Sequence, residues 1–588
     1  MNPADPAYLC MRKNKLHFFF FTFLGLAIAG AALFAEALQL DTHAGWGRAR
    51  IAALILGIAI SLGSWLNYFY GVPLRSAVKT LLARVTAIPV FERLLTNESL
   101  RKSTAWLQRY WPLVPVIIFV LAVYVWVVSA GTWTTWVSPT RFYANLARGF
   151  ERGNLYLPSN SDSIPYELPD LSNPEAKWGH EVPLDVSLYK GKLYLHWGPV
   201  PALLLVALNP FISGRVGDLQ LVFGFVCGIL AIQITLMIVI WDRFFRNLRV
   251  WLLSLSILIV GLAGPTTFIL TSSRNARIYE AAVISGQFFL IAGLLAALFA
   301  MVRPVPSRML LVLAGIFWAL AIGCRIFLAV PVGVLLILII WRLWRIMRWR
   351  VLFRLDVLLL VLLPALGIAG LGWYNWARFG SVMETGNHYQ WPGGNFSKTL
   401  SDFVSPGYIV QNLYNYLIHP FALGSKFPFL YIQYGVSEPL VPALSSPAGY
   451  GSQYIAGLLL TCPFIFFSAP MLARSISYVI QNHRYSKMED GDHGSSLGWA
   501  IIALSATFLF AFGFLLLYFW GAMRFMFDFF PSLILLSVIG FWQAYQSRTE
   551  KPTERKLLVY LGITLAGWSI LVCTLLAISI NDLRFLFI

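Results

Sequence analysis

A chain of 588 residues in which 58% of side chains are hydrophobic and only 12% charged cannot cover the surface of a soluble globule, which carries roughly 25% charged residues. Its mean hydropathy is +0.70. These values exclude a water-soluble enzyme, a disordered scaffold and a coiled coil, and the net charge of +18 makes the placement of the bases the first question.

Apolar runs of roughly 17–25 residues match the length that crosses a hydrocarbon layer of ~30 Å. Thirteen such runs predict spans, at 17–40, 51–70, 112–131, 218–241, 249–271, 280–302, 309–324, 326–341, 356–377, 455–473, 498–519, 529–546 and 556–580. A further run, 199–213, is short and carries Pro199, Pro201 and Pro210, which predicts an interfacial or re-entrant helix. With the N-terminus inside, the inner segments hold 27 Lys and Arg against 10 Asp and Glu, and the outer ones 17 against 15. That bias is the positive-inside signature and supplies contacts to anionic lipid, so the basicity implies no nucleic-acid partner. Reading 199–213 as a full crossing would put Arg342, Arg345, Arg348, Arg350 and Arg354 outside, against the bias.

The first run is too long for a signal-peptide core and predicts a retained span. The expected fold is therefore an all-α polytopic membrane protein with about 13 transmembrane helices, two large extracytoplasmic loops and one interfacial helix. Residues 1–110 read as two N-terminal helices plus a basic cytoplasmic segment, and 111–588 as the transmembrane core, with outside loops 132–198 and 378–454. The expected location is a bacterial inner (plasma) membrane with the N-terminus in the cytoplasm. Five scattered cysteines (Cys10, Cys227, Cys324, Cys462 and Cys573) show no metal spacing and imply no disulfide framework.

Four constellations of cations and carboxylates fall on the outside face. The first runs from Asp185 through Lys190, Lys192 and His196 to Gly198-Pro199-Val-Pro201. Asp185, held near the membrane surface, suits a general base or a metal ligand, and Lys190 or Lys192 suits phosphate; a surface hairpin turning at Lys190-Gly191 accounts for the same residues. The second is Arg277-Ile-Tyr279-Glu280, where an intrahelical pair competes with bidentate phosphate binding. In the third, Arg378 and Glu384 flank Gly380 and precede Gly386, placed to orient a phosphate and a sugar hydroxyl, or else Arg378 snorkels at a helix end. The fourth pairs Arg524 with Asp528 at a spacing of four, which predicts a self-satisfied pair on one helix. Glu36 and Arg325 are the main charges within or at the ends of spans. No Walker A loop, G-x-S-x-G or H-E-x-x-H is present, and no inverted repeat of broken helices is evident.

At these residues the sequence resembles the GT-C superfamily, the polytopic glycosyltransferases that use polyprenyl-phosphate-linked sugars. The matching pieces are Phe142-Tyr143 through Leu155-Tyr156-Leu157, Asp185 through Pro201, Tyr279-Glu280-Ala281 and Leu320 through Arg325. They continue with Asn375 through Gly386, Asn415-Tyr416 through Phe427-Pro428-Phe429, and Arg524 through Pro531, spanning roughly 132–546. Gly198-Pro199-Val-Pro201 stands where related families have His-Pro-Pro. The resemblance implies an inverting transfer from a polyprenyl-phosphate sugar donor to an envelope glycan, lipid or protein, with an acidic residue of the first outside loop as base. The chain departs from the pattern after the third span, where Thr132 to Tyr143 holds no acid and the first is Glu151; Asp185 is the substitute. No cofactor is fixed, and a divalent metal stays open. Substrate contacts are expected from Lys190, Lys192, His196, Arg277, Glu280, Arg378, Glu384, Arg524 and Asp528. The competing readings are a transporter or flippase of lipid-linked glycans and a non-catalytic lipid-binding subunit.

Overall fold

The computed structural model of the protein describes residues 21–32, 35, 50–61, 63–64, 109–134, 136, 138, 140–158, 186–211, 216–271, 277–301, 306–348, 354–391, 403–438, 450–481 and 492–585. The chain divides into two units, one of residues 1–118, 129–136 and 581–588, the other of 119–128 and 137–580.

In the first unit, α1 (Phe21–Ala32) and α2 (Arg50–Ser61) pack through small residues. A Cβ on Gly25 would stand 2.6 Å from the Gly57 carbonyl oxygen, so the backbones approach as closely as lipid-embedded helices require when packing alone holds them. Thr22 donates to Ser64 Oγ at 3.3 Å and Arg50 Nε to the Ala32 carbonyl at 3.2 Å, which makes the pair antiparallel. The expected basic cytoplasmic segment lies outside the described residues, apart from its end at 109–111. Helix α3 spans Trp111–Val128.

The second unit takes residues 119–128 of α3 and continues with the short α4 (Phe142–Glu151), a hairpin of β1 (Val186–Tyr189) and β2 (Lys192–Tyr194), and α5 (Val200–Leu208). Then come α6 (Asp218–Phe244), α7 (Trp251–Leu262), α8 (Pro265–Ile269), α9 (Ile278–Met301), α10 (Arg308–Cys324), α11 (Ala329–Met347) and α12 (Leu355–Phe379). The region of the second expected loop contributes β3 (Gln390–Trp391), β4 (Ala422–Leu423), β5 (Leu430–Tyr431), β6 (Gln433–Tyr434), β7 (Gly451–Ser452) and β8 (Tyr454–Ile455). The chain closes with α13 (Ala469–Gln481), α14 (Asp492–Leu516), β9 (Trp520–Gly521), α15 (Phe530–Ser547) and α16 (Pro552–Phe585). Among the described residues, seven helical stretches are long and apolar enough to cross a bilayer: α3, α6, α9, Ile326–Arg345, α12, Ser496–Leu516 and Pro552–Ile580. That is the build of an integral membrane protein. Within the described residues α1, α2, α7 and α10 cover 10–17 positions each, against the ~20 of a full span.

Two of the thirteen expected runs are not single helices. The run 249–271 breaks after α7 at Gly264, whose φ of +66° suits only glycine, and Pro265 restarts the chain as α8. The run 455–473 breaks at Cys462-Pro463 into Leu458–Thr461, a 3-10 turn Pro463–Ser468, and α13, because proline removes a helix donor and clashes with the preceding turn. The proline-bearing α5 has nine residues, or about 13 Å at 1.5 Å per residue, as expected of a helix that does not cross.

Helix α9 is the axis of this unit, with nearly every side chain buried. Gly293 admits the Trp318 indole, whose Nε1 donates to the Leu290 carbonyl at 3.2 Å. The two expected loops join into one structure, because β1 pairs with both β2 and β3. Asn412 binds the second loop to the end of α14 by donating to the carbonyls of Leu516 and Tyr518 at 3.1 and 2.7 Å.

Candidate functional site

Local chemistry fixes the floor of the site. Asp218 opens α6 and is fully buried, yet both oxygens are satisfied. Oδ2 accepts from Thr140 Oγ1 at 2.6 Å and from the Phe142 amide at 2.8 Å, and Oδ1 from the Tyr143 amide at 3.1 Å. Those amides are the first of α4 and have no partner within their own helix, so the Asp218 charge caps it. Sequence reading passed over Asp218; the only trace was an acid at the start of an apolar run.

Above this floor, Gly198 brings the chain against the end of α10, where a Cβ would stand 2.1 Å from the Gly323 carbonyl oxygen. Trp197 is thereby set beside Arg325. The Arg325 guanidinium lies 4.2 Å from the Phe327 ring centre, 5.2 Å from Trp197 and 5.4 Å from Phe525. Its Nη1 donates to both oxygens of Asp528, at 2.8 and 2.7 Å. The Asp528 backbone carbonyl accepts from Gln287 Nε2 at 2.7 Å. Burial pushes the Asp528 carboxyl up to about 7 against the downward pull of Arg325.

The expected Arg524–Asp528 pair is therefore corrected: Asp528 belongs to Arg325, 203 residues away. The segment Met523–Asp528 is a 3-10 helix, in which residues three apart align and residues four apart do not. Arg524 turns instead onto the Tyr279 ring, at 4.4 Å. Tyr279 also meets Trp197 at 5.3 Å and His196 at 6.0 Å, ring centre to ring centre, and its hydroxyl accepts from Gln390 at 3.3 Å. Next to Tyr279, Glu280 is 7% exposed. Arg277 is buried, with Nη1 donating to the Ile269 carbonyl at 3.4 Å and its amide to Thr140 Oγ1 at 3.3 Å.

Several polar atoms here are shut from solvent with no hydrogen-bond partner among the described residues: Tyr143 Oη, Ser187 Oγ, His196 Nδ1, Trp197 Nε1, Glu280 Oε2 and Arg524 Nε. Each such atom costs about 1–3 kcal/mol, and native folds keep them few. Three of these side chains, His196, Trp197 and Arg524, adjoin the Tyr279 ring. The His196 imidazole is held down to about 3 by burial and by the Arg378 charge, so it is neutral at physiological pH.

Arg378 closes the outer edge with all three guanidinium nitrogens engaged. Nε donates to the Tyr374 carbonyl at 3.2 Å, Nη2 to Asn375 Oδ1 at 2.8 Å and Nη1 to the Leu195 carbonyl. It holds the β2–α5 connection in place, which differs from the expected phosphate contact. Glu384 is likewise not its direct partner: Oε1 accepts from the Gly386 amide at 2.6 Å and Oε2 meets His388 Nδ1 at 2.5 Å. Lys190 and Lys192 are exposed, at 5.1 and 4.5 Å over the rings of Tyr189 and Tyr156. Lys190 and Gly191 have φ of +48° and +69°, the left-handed pair of a tight two-residue hairpin turn, so the surface-hairpin reading holds for this stretch. The structure thus brings His196 and Arg524 onto the Tyr279 ring, keeps Arg277 and Glu280 buried at the start of the same helix, adds Arg325 with Asp528, and leaves Lys190, Lys192 and Glu384 at the rim. Asp185 lies outside the described residues, one position before Val186 of β1. Among the described residues no three His, Cys, Asp or Glu side chains come together as a metal site.

No protein-family model and no curated protein matches the chain. Two solved structures do. One is the oligosaccharyltransferase of Archaeoglobus fulgidus in its apo form, at 13% identity and a TM-score of 0.42, covering 81% of this chain and 57% of that one. The other is the archaeal oligosaccharyltransferase AglB from the same organism, in complex with an inhibitory peptide and a dolichol-phosphate, at 12% identity and a TM-score of 0.41, covering 81% and 56%. The chain spans little more than half the length of these neighbours.

Proposed function

We propose that the protein is a membrane glycosyltransferase that moves a sugar from a polyprenyl-phosphate-linked donor to an acceptor on the extracytoplasmic face. One observation carries the reading: Tyr143, Glu280 and Arg524 each keep a buried polar atom with no hydrogen-bond partner among the described residues, and Arg524 and Arg325 rest on aromatic rings at the ends of apolar helices. A phosphate on a lipid tail arrives at that depth, and fixed cations stabilise it most as it leaves.

In the proposed step a carboxylate takes the proton of the acceptor hydroxyl, and the oxygen attacks the anomeric carbon. The bond from that carbon to the donor phosphate oxygen breaks, and the lipid phosphate departs with the electron pair, facing Arg524 and Arg277. Asp185, the residue before β1 in the sequence, is the proposed base; Glu280 is the acidic side chain facing the donor's hydroxyls or a divalent ion. Arg378 acts through the backbone it holds. The acceptor is an envelope glycan, lipid or protein.

The test is a proteoliposome assay with a short-chain polyprenyl-phosphate hexose and an envelope extract, following release of the lipid phosphate. Asp185→Asn and Glu280→Gln should each slow release by about 100-fold, the scale of a positioned acid or base, while the protein stays folded. Full turnover in both variants sinks the mechanism. Movement of the intact donor across the bilayer without cleavage would establish the transporter reading instead.

A further inference from the structure

The second outside loop carries a feature that the transfer reaction does not use. Strands β4 and β5 pair as Ala422↔Tyr431 and Leu423↔Leu430, closing a hairpin whose tip is Gly424-Ser-Lys-Phe-Pro-Phe429. Leu423 is 80% exposed and Phe429 49%. Beside them Tyr434 and Tyr454 stack across β6 and β8 with ring centres 4.3 Å apart and are themselves exposed. Phe429 has a φ of +68°, a conformation that costs a bulky residue energy, and the fold keeps it through the Phe429 amide to Lys426 carbonyl bond at 2.7 Å and the Gly424 amide to Phe429 carbonyl bond at 2.9 Å. The chain therefore accepts backbone strain and aqueous exposure of an aromatic ring at one residue. Both are hard to account for in a loop standing in water.

The position of the hairpin says what covers it. The Ile432 amide donates to Ser579 Oγ at 3.3 Å, and Ser579 stands at the end of the apolar stretch Pro552–Ile580. The opposite end of that helix carries Arg548, Lys551, Arg555 and Lys556, the inside marker, so Ser579 is at the outer boundary of the bilayer. Along the same apolar helix Trp568 and Leu571 are exposed, and Trp568 Nε1 donates at 2.8 Å to the carbonyl of Leu460, itself 42% exposed. The exposed surface of the hairpin thus continues a lipid-facing surface at the depth where headgroups meet acyl chains.

We propose that the β4–β5 hairpin dips into the outer leaflet. Leu423 and Phe429 enter the acyl boundary, Tyr434 and Tyr454 lie in the aromatic belt, and the Lys426 ammonium reaches lipid phosphates. The energetics are those of an interfacial anchor, in which buried apolar area and headgroup contact add. The anchor would hold the second outside loop on the surface from which a lipid-linked donor approaches, yet its existence is independent of the transfer chemistry.

Nitroxide labels placed by Leu423→Cys and Phe429→Cys in the full-length protein, reconstituted in phosphatidylcholine–phosphatidylglycerol vesicles, test this, with Lys190→Cys as an exposed reference. Power-saturation measurements should show both hairpin labels relaxed by oxygen and shielded from aqueous nickel chelate, with the Lys190 label showing the reverse. Nickel access at 423 and 429 equal to that at 190 overturns the proposal. So does spin–spin broadening that vanishes on dilution with unlabelled protein, because a second copy of the chain would then be the cover. All three sites are exposed, so the substitutions leave the packed interior unchanged.

Discussion

At the scale of single residues, the site is organised by charges whose partners are distant in sequence. Arg325 and Asp528 are buried to 6% and 0% exposure, where removing one member of a pair costs about 3–5 kcal/mol and removing both costs much less. Arg325→Leu and Asp528→Leu should therefore each destabilise the protein by that amount in detergent, and the double variant should regain most of the loss. A double variant as unstable as the sum of the singles would show that the bridge is not the interaction that matters. His196 supplies a pH signature. Its folded value is lowered to about 3 from an ordinary 6.5, so the folded protein excludes a proton that the unfolded chain accepts. Stability from this group is complete above pH 6.5 and declines as the pH falls toward 3. The loss is about 1–2 kcal/mol at pH 5, after allowance for the part of the ring that reaches solvent. Thermal unfolding of wild type and His196→Gln should coincide near pH 8 and separate by pH 5, with wild type losing more; parallel curves would mean the imidazole protonates freely in the folded state.

At the scale of elements, what could be read in the sequence follows from how local each determinant is. Apolar runs report themselves, and helices stand where most were expected, because a span's length and lack of charge are properties of a single segment. The tight turn at Lys190-Gly191 was equally legible, glycine being what a left-handed turn position selects. The breaks at Gly264-Pro265 and Cys462-Pro463 were obscured because apolar composition continues through them. The Arg325–Asp528 bridge was not legible at all: spacing four suggested Arg524, and only the 3-10 geometry of Met523–Asp528 together with the approach of α10 settles the partner. Asp218 was hidden for the same reason, since its capping role belongs to a helix 76 residues earlier. Gly198 gives an element-level prediction. Alanine there would put a methyl group 2.1 Å from the Gly323 carbonyl oxygen and 2.5 Å from that of Cys324, backbone atoms that have no side-chain freedom with which to yield. Gly198→Ala should lower stability by about 1–3 kcal/mol, as overpacking does, and should slow transfer by moving Trp197 away from Arg325. Wild-type stability and turnover together would show that the close approach is dispensable.

At the scale of the molecule, the +18 charge and the site constrain each other through topology. These side chains lie toward the ends of α9, α10 and α12 that the charge bias assigns to the outside, while Arg342 and Arg345 sit in the last turns of α11 and Arg354 precedes the opposite end of α12. If the arginine-rich ends were outside, the site would face the cytoplasm, where an envelope acceptor does not occur. Positions 190 and 551 separate the two cases. Both side chains are exposed, Lys551 by 67%, and the proposed path between them crosses the membrane an odd number of times, with α5 not crossing. In intact cells a membrane-impermeant maleimide should label Lys190→Cys without permeabilisation and Lys551→Cys only after it. Labelling of both from outside would mean an even number of crossings, making α5 or one of the segmented helices the error in the path. Labelling of Lys551→Cys alone would invert the protein, move the polar cluster to the cytoplasmic side, and remove the extracytoplasmic transferase together with the outer-leaflet anchor.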